Sequence, residues 1–126
     1  MHLAEKISNA ELEVMKILWR EEKPVSFSDL RVELQRTMGW EKSTINTLIR
    51  RLVNKGVITA HKQQVTYYTP NVSYHEYAQA EEEGLLERLY QGSAKNFVAS
   101  LCQHGKLSEA DIDELKEFFK MGGGSV

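Results

Sequence analysis

Between Glu41 and Gly56 the chain reads EKSTINTLIRRLVNKG. Ser43, Thr47, Arg50 and Asn54 fall on one side of a helix drawn through this stretch. Thr44 and Arg51 flank them on one edge and Asn46 on the other. These groups suit recognition better than bond-making. Arginine pairs with guanine edges, asparagine with adenine, and a threonine methyl meets the methyl of thymine. From Lys42 to Lys62 there are five Lys or Arg and no Asp or Glu. A phosphate backbone favours such a stretch. The competing reading is an ordinary solvated face, but such faces usually mix both signs of charge.

Other chemistry finds little support. No nucleophile with a base, no carboxylate pair and no metal-binding set stands out, so an enzyme is not expected, and neither is a cofactor or a metal. His2, His61, His75 and His104 are scattered without ligand spacing. Cys102 is the single cysteine. On an apolar helix face it reads as a small buried hydrophobe.

The polar face needs a support, and the same stretch supplies one. Ile45, Leu48, Ile49, Leu52 and Val53 recur at i, i+3, i+4, i+7 and i+8, a single apolar stripe. Upstream, Ser8 with Glu11 forms a capping-box pattern, and Ile7 with Leu12 the accompanying hydrophobic staple. Leu12, Met15, Leu18 and Trp19 carry that helix to about Arg20. Ser26 with Asp29 repeats the device, and Leu30, Leu34 and Met38 are expected to face inward before Gly39. Trp40 is expected to pack. Three helices with short connections, the third polar and basic, form a helix-turn-helix arrangement.

Two β-branched and aromatic runs follow, Val57 to Lys62 and Val65 to Thr69, joined by Gln63-Gln64. A hairpin here completes a winged helix. It brings Lys62, Gln63 and Gln64 toward a phosphate backbone, and Pro70 ends it. Of Tyr67 and Tyr68, one should pack and one face solvent. Ser73 with Glu76 starts a fourth helix, Ser93 a fifth and Ser108 with Asp111 a sixth. The expected class is mainly α, an α+β winged helix-turn-helix with a C-terminal helical dimerisation region. The expected divisions are a DNA-binding domain over 1–72, a helical region over 73–121 and a disordered tail over 122–126.

The charge divides the same way. The whole chain of 126 residues carries −2, but residues 1–72 carry net +3 and residues 73–126 net −5. Glu81 to Glu83 give the fourth helix an acidic, solvated face. Apolar residues in the C-terminal part (Leu85, Leu86, Leu89, Tyr90, Phe97, Leu101, Ile112, Leu115, Phe118 and Phe119) exceed what small helices bury alone. Val98 and Cys102 are read as facing inward with them. A second copy is the economical cover, and a two-fold dimer would present two recognition helices to two half-sites. No apolar run approaches the roughly 20 residues of a membrane span. MHLAEKIS lacks the apolar core of a signal peptide. With one cysteine, this leads us to expect a cytoplasmic protein.

The segments SNAELEVMKILW, STINTLIRRLVNKGVI and YYTP, followed more weakly by LLERLYQGSAKNFVASL and LSEADIDELK, resemble the BlaI/MecI/CopY family of repressors. The resemblance implies a homodimeric winged-helix repressor on an inverted-repeat operator of TACA/TGTA type. It places Ser43, Thr44, Asn46, Thr47, Arg50, Arg51 and Lys62 at the DNA. Thr44, Asn46 and Thr47 are assigned to base edges; Arg50, Arg51 and Lys62 chiefly to phosphates. The β-lactam-linked branch is relieved by cleavage, triggered by a membrane sensor-protease. The family's cleaved bond aligns with Ser100-Leu101, where this chain has Ser-Leu in place of Asn-Phe. The copper branch carries a C-terminal CxC pattern, whereas this sequence reads KMGGGSV, so copper sensing is not expected. Two other readings stand beside repression: a protein-interaction winged helix without DNA binding, and a DNA-binding activator.

Overall fold

The computed structural model describes residues 7–121; the tail expected at 122–126 and His2 lie outside them. The elements are α1 (Asn9–Glu21), β1 (Val25–Ser26), α2 (Phe27–Met38), α3 (Lys42–Asn54), β2 (Ile58–Lys62), β3 (Thr66–Pro70), α4 (Tyr74–Tyr90), α5 (Ala94–Gln103) and α6 (Glu109–Lys120). The sheet is antiparallel, in the order β1-β3-β2. Three helices with this small sheet make a winged helix.

Serines start five of the six described helices. The hydroxyls of Ser8, Ser26, Ser73, Ser93 and Ser108 each accept a backbone N–H three residues on. Glu11, Glu76 and Asp111 return the bond to the N–H of their own serine. At Ser26 it runs one way. Each satisfies donors that a helix start otherwise leaves orphaned.

The core of the winged helix joins Val14, Met15 and Leu18 of α1, Leu30 and Leu34 of α2, and Ile45, Leu48, Ile49 and Leu52 of α3. Val57, Ile58 and Tyr68 close it from the hairpin, and Tyr67, its strand neighbour, is half-buried. Val25 and Ser26 pair with Tyr68 and Tyr67. This third strand was not evident in the sequence, because two residues become a strand only when a partner edge is present. Met38 departs from expectation. It ends α2 and is 42% exposed, since the chain turns away at Gly39 with φ +69 before the stripe can continue.

The chain forms two compact units that divide between Glu82 and Glu83, inside α4. The first turns of α4 pack on the winged helix. Trp19 Nε1 donates to the Val72 carbonyl at 2.8 Å, and its ring lies 5.5 Å from Tyr74 and 5.6 Å from Tyr77. Tyr77 is buried, and its hydroxyl donates to Glu81 at 2.7 Å. Burial, with that carboxylate beside it, pushes the Tyr77 hydroxyl up to about 12.

Within the second unit, Tyr90 and Phe97 meet at 5.2 Å, and Leu85, Leu86, Leu101 and Ile112 are half-buried. Neither α5 nor α6 contains a buried residue. Leu89, Val98, Leu115, Phe118 and Phe119 are exposed, and so is Cys102. The inward placing of Val98 and Cys102 is therefore corrected. Ten- and twelve-residue helices offer too little surface to cover both faces of one another.

Among the described residues, one charged side chain lies in the core. Glu11 is 1% exposed, and its Oε1 accepts the Ser8 N–H at 2.9 Å and the Lys55 ammonium at 2.6 Å. Burial pushes the carboxyl pKa up. The bonds from Lys55 and Ser8 outweigh it and hold the group below its ordinary value of 4.5. A carboxyl depressed on folding stabilises the protein above its unfolded pKa and loses that contribution as pH falls through the folded value. Stability should therefore drop below about pH 4.5, and Glu11→Gln should flatten this part of the pH profile. Glu11→Ala should lower the unfolding free energy by roughly 2 kcal/mol, the scale for losing a charge-assisted hydrogen bond whose other partner, Lys55, still reaches water. Chemical denaturation across pH measures both, and a loss below about 1 kcal/mol would show that the pair is not a support.

Candidate nucleic-acid interface

Burial of the Ile45, Leu48, Ile49 and Leu52 stripe decides which way α3 faces. Ser43, Thr44, Asn46, Arg50 and Arg51 are exposed as a consequence, and Thr47 is half-buried. Thr47 Oγ1 donates to the Ser43 carbonyl at 2.9 Å. Its hydroxyl hydrogen is committed to the helix, leaving a methyl and lone pairs for any partner.

The start of α3 differs from the serine-capped helices. Glu41 occupies the N-cap position with φ −77 and ψ 158, much like Ser8 and Ser26, yet its side chain makes no capping bond. The first turn holds no acidic residue. The leading N–H groups thus carry the positive end of the helix dipole without a side-chain acceptor. Nothing in the sequence reading singled this out, although Glu where the other helices have Ser is a legible signal.

The wing is the β2–β3 hairpin. Lys62 pairs with Thr66, and Gln63, Gln64 and Val65 form the exposed turn, closed by the Gln63 N–H donating to the Val65 carbonyl at 3.2 Å. An open cleft joins the wing to the helices. It is lined by Ser28 of α2, Lys42 and Asn46 of α3, and Val65, Thr66 and Tyr68. Asn46 and the wing thus border one surface, and Ser28, Lys42 and Thr66 are additions to the sequence-based set.

Of the five cations between Lys42 and Lys62, Lys55 bonds inward to Glu11. Lys42, Arg50, Arg51 and Lys62 are exposed. Trp40 is partly buried against the core, as expected. His61 Nε2 meets Thr69 Oγ1 at 2.8 Å on the outer strand. Among the described residues no group of His, Cys, Asp or Glu is placed to hold a metal ion. No described helix is long and apolar enough to cross a membrane. The surface therefore offers hydroxyls, an amide, cations and open helix N–H groups, a set for hydrogen bonding to an anionic polymer.

The family model for the penicillinase repressor matches residues 7–121. The chain belongs to the penicillinase repressor family. Its relatives include the penicillinase repressor of Bacillus licheniformis, 34% identical over 116 residues that cover 91% of this chain and 90% of that protein. The penicillinase repressor of Staphylococcus aureus is 32% identical over 113 residues, 89% of each chain. The methicillin resistance regulatory protein MecI of Staphylococcus aureus strain N315 is 31% identical over 112 residues, 88% of this chain and 90% of that one. The solution structure of the DNA-binding domain of the repressor BlaI superposes with TM-score 0.53 at 38% identity, covering 61% of this chain and 94% of that domain. The monomeric form of Bacillus licheniformis BlaI in complex with the blaP half-operator gives TM-score 0.50 at 40% identity, covering 56% and 87%. Family membership and the winged helix inferred from the sequence are thus established.

The open cap has a measurable consequence. Glu41 already has the extended backbone of a capping residue, so Glu41→Ser should supply the missing bond and stabilise the fold by about 1 kcal/mol. An unchanged or lowered midpoint in chemical denaturation would show that the α3 start is satisfied in another way.

Proposed function

We propose that the protein is a transcriptional repressor that acts as a homodimer on an inverted-repeat operator of TACA/TGTA type. The observation that carries this reading is the outward face of α3, polar, free of carboxylates and turned outward by its buried stripe. A helix of this kind fits the major groove of double-stranded DNA. Thr44, Asn46 and Thr47 contact base edges, with Thr47 presenting its methyl. Ser43 and the uncapped N–H groups of α3 approach a phosphate, as helix starts do. Arg50 and Arg51 bind phosphates on one side. Lys62 of the wing, with Lys42 and Ser28 beside the cleft, does so on the other. The relative solved in complex with a half-operator supports DNA as the partner of this domain.

The homodimer forms through the second unit. Leu89 near the end of α4, and Leu115, Phe118 and Phe119 on α6, a helix that buries nothing within one chain, are exposed apolar residues. Leu85, Leu86, Tyr90, Phe97, Leu101 and Ile112 complete the face. An isologous pairing buries this surface and sets two α3 helices on two half-sites. Relief comes from cleavage at Ser100-Leu101 by a membrane sensor-protease. Both residues are half-buried in the regular helix α5, so that helix must unwind to present an extended backbone. The regulator needs no small-molecule cofactor and works in the cytoplasm.

Two sets of variants test this. Thr47→Ala should lower affinity for a TACA…TGTA duplex severalfold while leaving a scrambled duplex nearly unaffected. Arg51→Ala should weaken both and reduce the salt slope by about 0.9, one phosphate's worth. Equal losses on both duplexes for Thr47→Ala would remove the base-contact assignment. In the second unit, Leu89→Asp or Leu115→Asp should give monomers by light scattering and lose most operator affinity, because two half-sites are no longer bound as one unit. Dimers that persist in both variants would place the interface elsewhere.

A further inference from the structure

Glu11 serves two elements at once. It closes the first turn of α1 by accepting the Ser8 N–H, and it reaches 44 positions along the chain to Lys55. Lys55 is the C-cap of α3, and its own N–H donates to the Arg51 carbonyl at 2.9 Å. A carboxylate in the core is therefore linked through one side chain to the turn that carries Arg51. Both charges sit at the helix ends that favour them, the acid near the α1 start and the base at the α3 end.

Stability alone does not account for this choice. With Lys55 part-exposed, the pair adds little stability that apolar packing of similar volume could not supply. What apolar packing lacks is direction. The stripe of α3 is held by contacts that are non-directional, and cores packed with apolar residues lose uniqueness before they lose stability. A short charge-assisted bond fixes distance and angle. Reading bases requires that fixity, since side chains one turn apart must meet their partners together.

We propose that Glu11 and Lys55 are positioning residues for sequence reading: the pair fixes the C-terminal turn of α3, so that Arg50 and Arg51 stay in register with Thr44, Asn46 and Thr47. This inference rests on the reading of α3 as the DNA-reading helix. Glu11 acts through Lys55, from within the core. Loss of the pair leaves the exposed cations in place. It therefore spares attraction to DNA in general and weakens discrimination.

The test uses the full chain and two fluorescent duplexes, one carrying a TACA…TGTA inverted repeat and one a scrambled sequence of equal composition. Wild type, Lys55→Arg, Glu11→Gln and the double variant Glu11→Gln/Lys55→Met are compared below their melting temperatures. Wild type and Lys55→Arg, which keeps the ion pair, should prefer the repeat. The folded double variant should bind the scrambled duplex within about twofold of wild type. It should lose at least about tenfold of its preference for the repeat, the scale of one misaligned base contact. A folded double variant with the wild-type preference would overturn the proposal. Should it fail to fold, Glu11→Gln decides by the same criterion, because it keeps the side-chain shape and an acceptor for the Ser8 N–H. A wild type that does not prefer the repeat would overturn the operator reading and this proposal with it. Preference kept by wild type and variants alike would overturn positioning alone.

Discussion

The burial of one apolar stripe governs this molecule. Ile45, Leu48, Ile49 and Leu52 are the inner face of α3, and all four are buried in the core. Rotating α3 by a quarter turn would expose apolar surface and bury Arg50 or Asn46, at a cost of several kcal/mol for an unpaired charge or amide. The outward direction of Ser43, Thr44, Asn46, Arg50 and Arg51 follows from that cost. The functional surface is thus the complement of the core, and core substitutions in α3 should be felt at the surface.

Around that constraint the polar groups are divided by location. No carboxylate falls within α3 itself, and two of the first unit's carboxylates are engaged elsewhere. Glu11 is buried against Lys55, and Glu33 accepts both terminal nitrogens of Arg20 at 2.6 Å, tying α2 to α1. The surplus of acid falls after residue 72. Net charge of −2 conceals this arrangement. Association with a polyanion depends on the local field of α3 and the wing more than on the total.

Much of the fold was legible because its signals are local. A serine with an acid three residues on is a helix start whatever the rest of the chain does, and the starts at Ser8, Ser73 and Ser108 formed as read. The α3 stripe and the β-branched wing were equally plain. What stayed hidden depends on distant partners. Glu11 reads in sequence as a capping residue and nothing more, since Lys55 lies 44 positions away. Strand β1 exists through Tyr67 and Tyr68, and the α4 start belongs to the first unit through Trp19. Met38, Val98 and Cys102 carry apolar spacing, yet spacing does not reveal whether another element arrives to cover them. At the candidate site, residue types on one helix were readable, whereas Ser28, Lys42 and Thr66 join it through the cleft beside the wing.

The central claim is that this α3 face reads DNA as one of a pair. The most direct measurement is a titration of a duplex carrying the TACA…TGTA inverted repeat with the full chain, at two salt concentrations and beside a scrambled duplex. The account predicts selective binding to the repeat, saturating at two chains per duplex and weakening as salt rises. Absence of salt-dependent binding to either duplex would contradict it.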